Sequence, residues 1–304
     1  MIIPPYLSPG DTVAFAAPAR KISKQEILPA EQWLKSVGFN VFYDDRLFAE
    51  EHQFAGNDDV RASYFQDLLN DDSIKLIWCV RGGYGSARII DRLDFTHFCQ
   101  QPKWICGYSD ITVFHSHIQR HLNTATLHAI MPINITEEKI QKPAVQSFLA
   151  AITGQDLTYE MEIHPLSRLE AFSGILTGGN LSMLYSLMAS PSDVDTTDKV
   201  LFIEDLDEYL YHIDRMMLNL KRGGKLSHVK ALLVGHLSDM HDNTIPFGKN
   251  AEEIVADHFR ELNIPLIFNV PAGHLPDNRA FRMGCKTEGY FVDNMYIINN
   301  LSHA

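Results

Sequence analysis

Three residues of this chain have the types needed to break an acyl bond together. Ser109 stands in Lys103-Trp104-Ile105-Cys106-Gly107-Tyr108-Ser109-Asp110-Ile111-Thr112, where an apolar run ends at a glycine and a helical pattern begins at once. A serine on a sharp strand-to-helix turn presents its hydroxyl as a nucleophile. The N–H of Asp110, at the start of that helix, is then free to receive a developing oxyanion. The same residues also suit a plainer role, with Ser109 or Asp110 capping the helix that follows. The fifth position is Ile111, so the stretch departs from the G-x-S-x-G of α/β-hydrolases.

A nucleophilic serine needs a base, and the base needs a carboxylate to orient it. The chain has 14 histidines, so number alone selects none. His115, His117 and His121 fall on the helix after the serine and read as packing or surface residues. His274 lies in Pro271-Ala272-Gly273-His274-Leu275-Pro276-Asp277-Asn278, a loop after an apolar strand. That position suits catalysis and equally suits an exposed loop histidine. Among the acids in Leu201-Phe202-Ile203-Glu204-Asp205-Leu206-Asp207-Glu208, Glu204 follows directly on an apolar run. It is the one best placed to be partly buried at a strand end. Asp207 and Glu208 read as solvated or helix-start charges.

Arg81-Gly82-Gly83-Tyr84-Gly85 also follows a strand. It could cradle a phosphate, supply a second oxyanion N–H beside the serine turn, or merely connect strand to helix. It lacks the G-x-G-x-x-G spacing and the Walker lysine. His236, Asp239 and His241 are closely spaced, but a zinc site needs a further ligand and a closed geometry, and exposed loop residues are the simpler account.

These residues must be positioned by a regular framework. Apolar runs at 12–16, 40–43, 74–80 and 104–107 read as strands, alternating with helical patterns at 24–37, 58–69, 86–93 and 110–122. Such alternation predicts a parallel sheet with helices on both faces, whose ligands bind at the carboxyl ends of the strands. Both the glycine turn and the serine turn would lie at that edge. A helix near 143–152 and a weaker polar stretch follow, and a domain boundary is placed there. The second half reads as a turn into a helix at 174–184, strands at 200–203, 231–234 and 265–269, helices at 211–220 and 250–262, and a strand pair at 289–299.

At 304 residues the chain is long enough for two domains. A net charge of −12 argues against nucleic acid as the main partner, since phosphate binding needs a basic face. No apolar run reaches membrane-spanning length, and the N-terminus lacks the pattern of a signal peptide, so a cytoplasmic location without membrane attachment is expected. Cys79, Cys99, Cys106 and Cys285 show no CxxC spacing and read as buried free thiols.

Taken in order, the motifs resemble those of the LD-carboxypeptidases, the serine peptidase family that also includes the microcin C immunity peptidases. The resemblance covers nearly the whole length. It rests on Pro9-Gly10-Asp11-Thr12-Val13 with Ala17-Pro18, on Arg81-Gly82-Gly83-Tyr84-Gly85, and on Gly107-Tyr108-Ser109-Asp110. It continues through Thr177-Gly178-Gly179-Asn180-Leu181, Phe202-Ile203-Glu204-Asp205, Tyr211-His212-Ile213-Asp214-Arg215-Met216 and Gly273-His274.

The resemblance implies an α/β fold: a glutamine-amidotransferase-like parallel sheet over residues 1–150 carrying the nucleophile, and a smaller α/β domain over 165–304. It places the nucleophile on Ser109, the carboxylate on Glu204 and the base on His274. The oxyanion donors fall on the backbone of Gly83 and Asp110. It further implies a cytoplasmic homodimer without metal or organic cofactor, acting on a muropeptide by releasing D-alanine from murein tetrapeptide. The alternatives are a microcin-immunity-type peptidase cleaving peptidyl or aminoacyl nucleotide conjugates, and a non-catalytic muropeptide-binding protein.

Overall fold

The computed structural model describes residues 1–140 and 142–303. Its strands are β1 (Thr12–Ala16), β2 (Asn40–Phe42), β3 (Ile74–Cys79), β4 (Trp104–Gly107), β5 (Thr126–His128), β6 (Leu157–Met161), β7 (Phe172–Asn180), β8 (Lys199–Leu206), β9 (Ala231–Ser238), β10 (Leu266–Ile267), β11 (Phe281–Met283), β12 (Lys286–Val292) and β13 (Met295–Asn300). They form two sheets, in the orders β11-β5-β4-β3-β1-β2 and β10-β9-β8-β7-β12-β13-β6.

In the first sheet β2, β1, β3, β4 and β5 run parallel, and β11 joins antiparallel at the edge. β3 and β4 are almost wholly buried, as unbroken apolar strands covered by helices on both faces must be. The helices Lys24–Ser36 and Asp58–Asn70 begin where Ser23 forms a capping box with Glu26 and where Asn57 accepts from the Val60 N–H. The chain leaves β1 toward β2 on one side and β3 toward β4 on the other. The carboxyl ends of β1 and β3 therefore flank a topological switch point, the crevice where open α/β sheets bind ligands.

The second sheet is mixed. β7, β8, β9 and β10 are parallel, and β12, β13 and β6 extend it antiparallel. The stretch read as a turn into a helix at 174–184 is instead the nine-residue strand β7 followed by the helix Leu181–Leu187. Gly178 and Gly179 disguised it. Both have positive φ (117° and 139°), and a Cβ on Gly178 would stand 2.0 Å from the Phe202 carbonyl oxygen. The glycines let the β7 backbone lie against β8 at a spacing that a side chain would forbid. The three-residue strands β5 and β11 also went unread. β11 returns the chain from the second half to the first sheet, where Phe281 pairs with His128.

Cys79, Cys106 and Cys285 are buried and Cys99 is exposed; all four are free thiols. Among the described residues no helix is long and apolar enough to cross a membrane.

Candidate active site

The serine turn begins where β4 ends. Gly107 has a φ of 158° and Ser109 a φ of 64°, a left-handed conformation that a non-glycine residue holds only when its surroundings impose it. The capping role fails here. Tyr108, Ser109 and Ile111 provide no side-chain cap to the turn or to the helix Thr112–Leu122. Asp110 turns away from its own helix. Its Oδ2 accepts the Ser86 N–H at 2.8 Å, in the first turn after the glycine motif. Asp110 is buried, which pushes its carboxyl pKa up, and its Oδ1 has no partner among the described residues. In place of the cap expected of it, the Asp110 side chain locks the serine turn to the glycine turn.

The glycine turn lies directly against the serine. A Cβ on Gly82 would stand 3.0 Å from Ser109 Cβ and 3.3 Å from its Oγ. Gly83 has a φ of 110°. The N–H groups of Gly83 and Asp110 make no backbone hydrogen bond within the described residues.

From the second sheet come the acid and the histidine. Glu204 sits near the carboxyl end of β8, fully buried, opposite Asn180 of β7. His274 follows β10 in a pinned loop: Gly273 N–H donates to Asn278 Oδ1 at 2.9 Å, and Ser238 Oγ donates to the His274 carbonyl at 2.9 Å. His274 Nδ1 lies 2.7 Å from Glu204 Oε2. With the carboxylate as acceptor, Nδ1 carries the proton and Nε2 is left as the ring's acceptor. Burial alone would lower the His274 pKa, but the Glu204 hydrogen bond and the charges of Glu204 and Asp205 outweigh it and raise the pKa above the ordinary value.

Three of the sequence-predicted residues, Ser109, Gly83 and His274, line one cleft of about 390 Å³, and Glu204 stands behind His274. Tyr108, next to the serine, packs its ring edge-on to His274 with centroids 4.8 Å apart. Ser109 Oγ and His274 make no hydrogen bond within the described residues; they meet as walls of the cleft. Such bonds commonly tighten only when substrate is bound.

The structure adds residues that sequence reasoning missed. Asp205 is buried behind Glu204, where its Oδ1 accepts from Asn180 Nδ2 at 2.9 Å and its Oδ2 from the Ser182 N–H at 2.8 Å. Burial first, and then the charge of Glu204, raises its pKa to about 7. Asn180 N–H in turn donates to Thr112 Oγ1 at 3.0 Å, on the helix that follows Ser109. The Thr177-Gly178-Gly179-Asn180 motif thus clamps the two sheets together across the site. The Glu-Asp doublet after an apolar run was the only local signal for Asp205. His236 lies on β9, and His241 Nε2 meets Asp207 Oδ1 at 2.5 Å on the surface.

Fold and cleft together define a two-domain α/β protein with a strand-end serine facing a carboxylate-held histidine from the second sheet. Comparison with known proteins narrows this. Residues 13–129 match the LD-carboxypeptidase N-terminal domain and residues 173–288 the LD-carboxypeptidase C-terminal domain. This chain belongs to the LD-carboxypeptidase family and is a peptidase. It is 33% identical over 290 residues to the probable murein peptide carboxypeptidase of Bacillus subtilis (strain 168), covering 93% of this chain and 90% of that one. The muramoyltetrapeptide carboxypeptidase from Oxalobacter formigenes superposes with a TM-score of 0.87 at 26% identity, covering 96% of this chain and 99% of the other. The microcin C7 self immunity protein MccF shares the fold, with a TM-score of 0.87 at 19% identity and full coverage of both chains.

Proposed function

We propose that this chain is a serine-type LD-carboxypeptidase that releases the terminal D-alanine of murein tetrapeptide in cell-wall recycling. Ser109 would be contributed by residues 1–150, and Glu204 and His274 by residues 165–304. One observation carries the reading: a strained serine shares a cleft with a histidine whose far nitrogen is held by a buried carboxylate. The names of the related carboxypeptidases supply the substrate class.

In this mechanism His274 Nε2 takes the Ser109 Oγ proton as Oγ bonds to the scissile carbonyl carbon. The carbonyl electrons move onto oxygen and are met by the N–H groups of Gly83 and Asp110. Glu204 holds the imidazolium. The C–N bond then breaks, and the departing amine takes the proton from His274. Water, losing a proton to the same imidazole, adds to the acyl ester, and as the ester C–O bond breaks His274 returns that proton to Ser109 Oγ. The reading extends to a cytoplasmic location and to a homodimer, and sedimentation of the purified chain tests the dimer.

The direct test is mass spectrometry after incubation with tetrapeptides ending in D-alanine or in L-alanine. Release from the D-peptide alone, abolished in a folded Ser109→Ala variant, is the expected result. Turnover retained in that variant overturns the nucleophile. Cleavage of an aminoacyl nucleotide conjugate with the tetrapeptide left intact would favour the microcin-immunity-type reading.

A further inference from the structure

A peptidase that removes a terminal residue must recognise a free carboxylate, and a guanidinium does this best because its fork of donors matches the two oxygens. Arg20 and Arg81 both line the cleft that holds Ser109. They are not equivalent. Arg81 is already engaged, its Nη1 lying 3.6 Å from Glu26 Oε1 and 3.5 Å from the Lys21 carbonyl oxygen. Arg20 is exposed, and its guanidinium makes no ion pair or hydrogen bond within the described residues.

The stem of Arg20 is nonetheless held in place. A Cβ on Gly83 would stand 2.5 Å from Arg20 Cδ and 2.7 Å from its Cγ, so the arginine lies over the glycine turn. The backbone of Arg20 bridges to Phe54, and Lys21 N–H donates to the Gln53 carbonyl at 3.1 Å. Gly82 touches Ser109 and Gly83 touches Arg20. Consecutive residues of one turn therefore face the serine and the arginine stem, so both belong to the same small patch of the cleft.

Position and charge agree with this. Arg20 follows β1 and the glycine turn follows β3, so both stand at the switch point of the first sheet. The chain carries a net charge of −12, yet the described lining of this cleft includes two arginines and His274 and no Asp or Glu. An acidic protein has kept one cleft free of carboxylates, which suits an anionic ligand group.

We infer that Arg20 binds the free α-carboxylate of the leaving residue and so sets the enzyme to cut one residue from the chain end. The inference rests on the carboxypeptidase reading and names the group that enforces it. It is tested by calorimetric titration of Ser109→Ala and Ser109→Ala/Arg20→Ala proteins with the D-alanine tetrapeptide and with its C-terminal amide. The single variant should prefer the acid, and the added Arg20→Ala should weaken acid binding by about 10- to 100-fold while leaving the amide unchanged. In the otherwise native enzyme, Arg20→Ala should raise KM for the acid with kcat largely retained, and Arg20→Lys should recover part of the loss. Equal binding of acid and amide by Ser109→Ala, an equal loss for both ligands, or a carboxylate-specific loss on Arg81→Ala in place of Arg20→Ala overturns the assignment. Absence of D-alanine release by the wild-type chain would instead count against the parent reading, because the titrations do not depend on turnover.

Discussion

The ring of Tyr108 stands edge-on to the imidazole of His274, centroids 4.8 Å apart, and so joins the residue before the serine to the loop of the second sheet. Tyr108 is 9% exposed, so the contact is nearly shut off from water. Removing the ring leaves a void between the two halves of the site and frees the imidazole to swing. Tyr108→Ala should lower stability by about 3 kcal/mol, as aromatic truncations in cores do. It should also lower kcat by about 10- to 100-fold through misplacement of the base. Tyr108→Phe keeps the ring and should stay close to the parent in both. Thermal unfolding and steady-state kinetics of the two variants check this. An unchanged kcat in the alanine variant would mean that the contact does not position His274.

The raised pKa of His274 sets the pH dependence of turnover. Below that pKa the imidazole carries a second proton and cannot accept the one from Ser109. The acid limb of kcat/KM should therefore have its midpoint above 6.5, the ordinary histidine value. Glu204→Gln removes the hydrogen-bonded charge that raises the pKa and leaves the lowering effect of burial. The limb should move to lower pH while kcat falls by about 10²- to 10⁴-fold, because the tautomer is no longer held. A pH–rate profile of both proteins measures the shift. An upward shift, or none, would contradict the assignment of Glu204 as the partner that sets this proton. The same bond contributes stability that is fully present below 6.5 and is lost as pH rises through the raised folded value.

Much of this site was legible because its residues stand where apolar runs stop. Ser109 lies just past the end of β4 and Glu204 near the end of β8, and in each the change from apolar to polar is local and visible. The pairing of Glu204 with His274 spans 70 positions and leaves no local trace, so only the ordered family motifs pointed to it. Asp110 has a side-chain role that its place in the turn does not announce. Nothing in its neighbourhood reveals that its carboxylate crosses to Ser86. β7 was lost for a related reason: glycines signal turns by their own freedom, but here that freedom serves close strand packing against Phe202 and Thr112.

Gly273 offers a test of how tightly the acid is held. It has a φ of 118°, and a Cβ there would meet Glu204 Oε2 and Cβ at 3.0 Å. Gly273→Ala combines a strained backbone with pressure on the carboxylate that holds His274. A displacement of the base by about 1 Å can cost on the order of 10²-fold in rate, so kcat should fall by about that much with binding of the peptide largely kept. Kinetics together with titration of the peptide into a Ser109→Ala background separate the two effects. Full activity in Gly273→Ala would show that the loop can move without disturbing the pair.

Acid stability depends on two other histidines beneath the serine turn. His115 Nε2 lies 3.0 Å from the Gly107 carbonyl and Nδ1 2.8 Å from Thr126 Oγ1, which fits a neutral ring donating from Nε2 and accepting at Nδ1. Burial lowers its pKa to about 4. His128 is fully buried beside Phe202, both ring nitrogens lack partners among the described residues, and burial first and then the charges of His115 and His274 hold its pKa well below 6.5. Between these depressed values and 6.5 the unfolded chain binds more protons than the folded one, so stability falls as pH falls through that window. At about 1.4 kcal/mol per pKa unit, His115 alone accounts for on the order of 3 kcal/mol lost between pH 6.5 and 4. His128→Phe replaces an unpartnered imidazole with a ring that cannot take a proton. It should flatten the dependence of thermal unfolding on pH between 6.5 and 4.5, whatever its effect on stability at neutral pH. A slope as steep as that of the parent would mean that protonation of His128 does not contribute to acid unfolding.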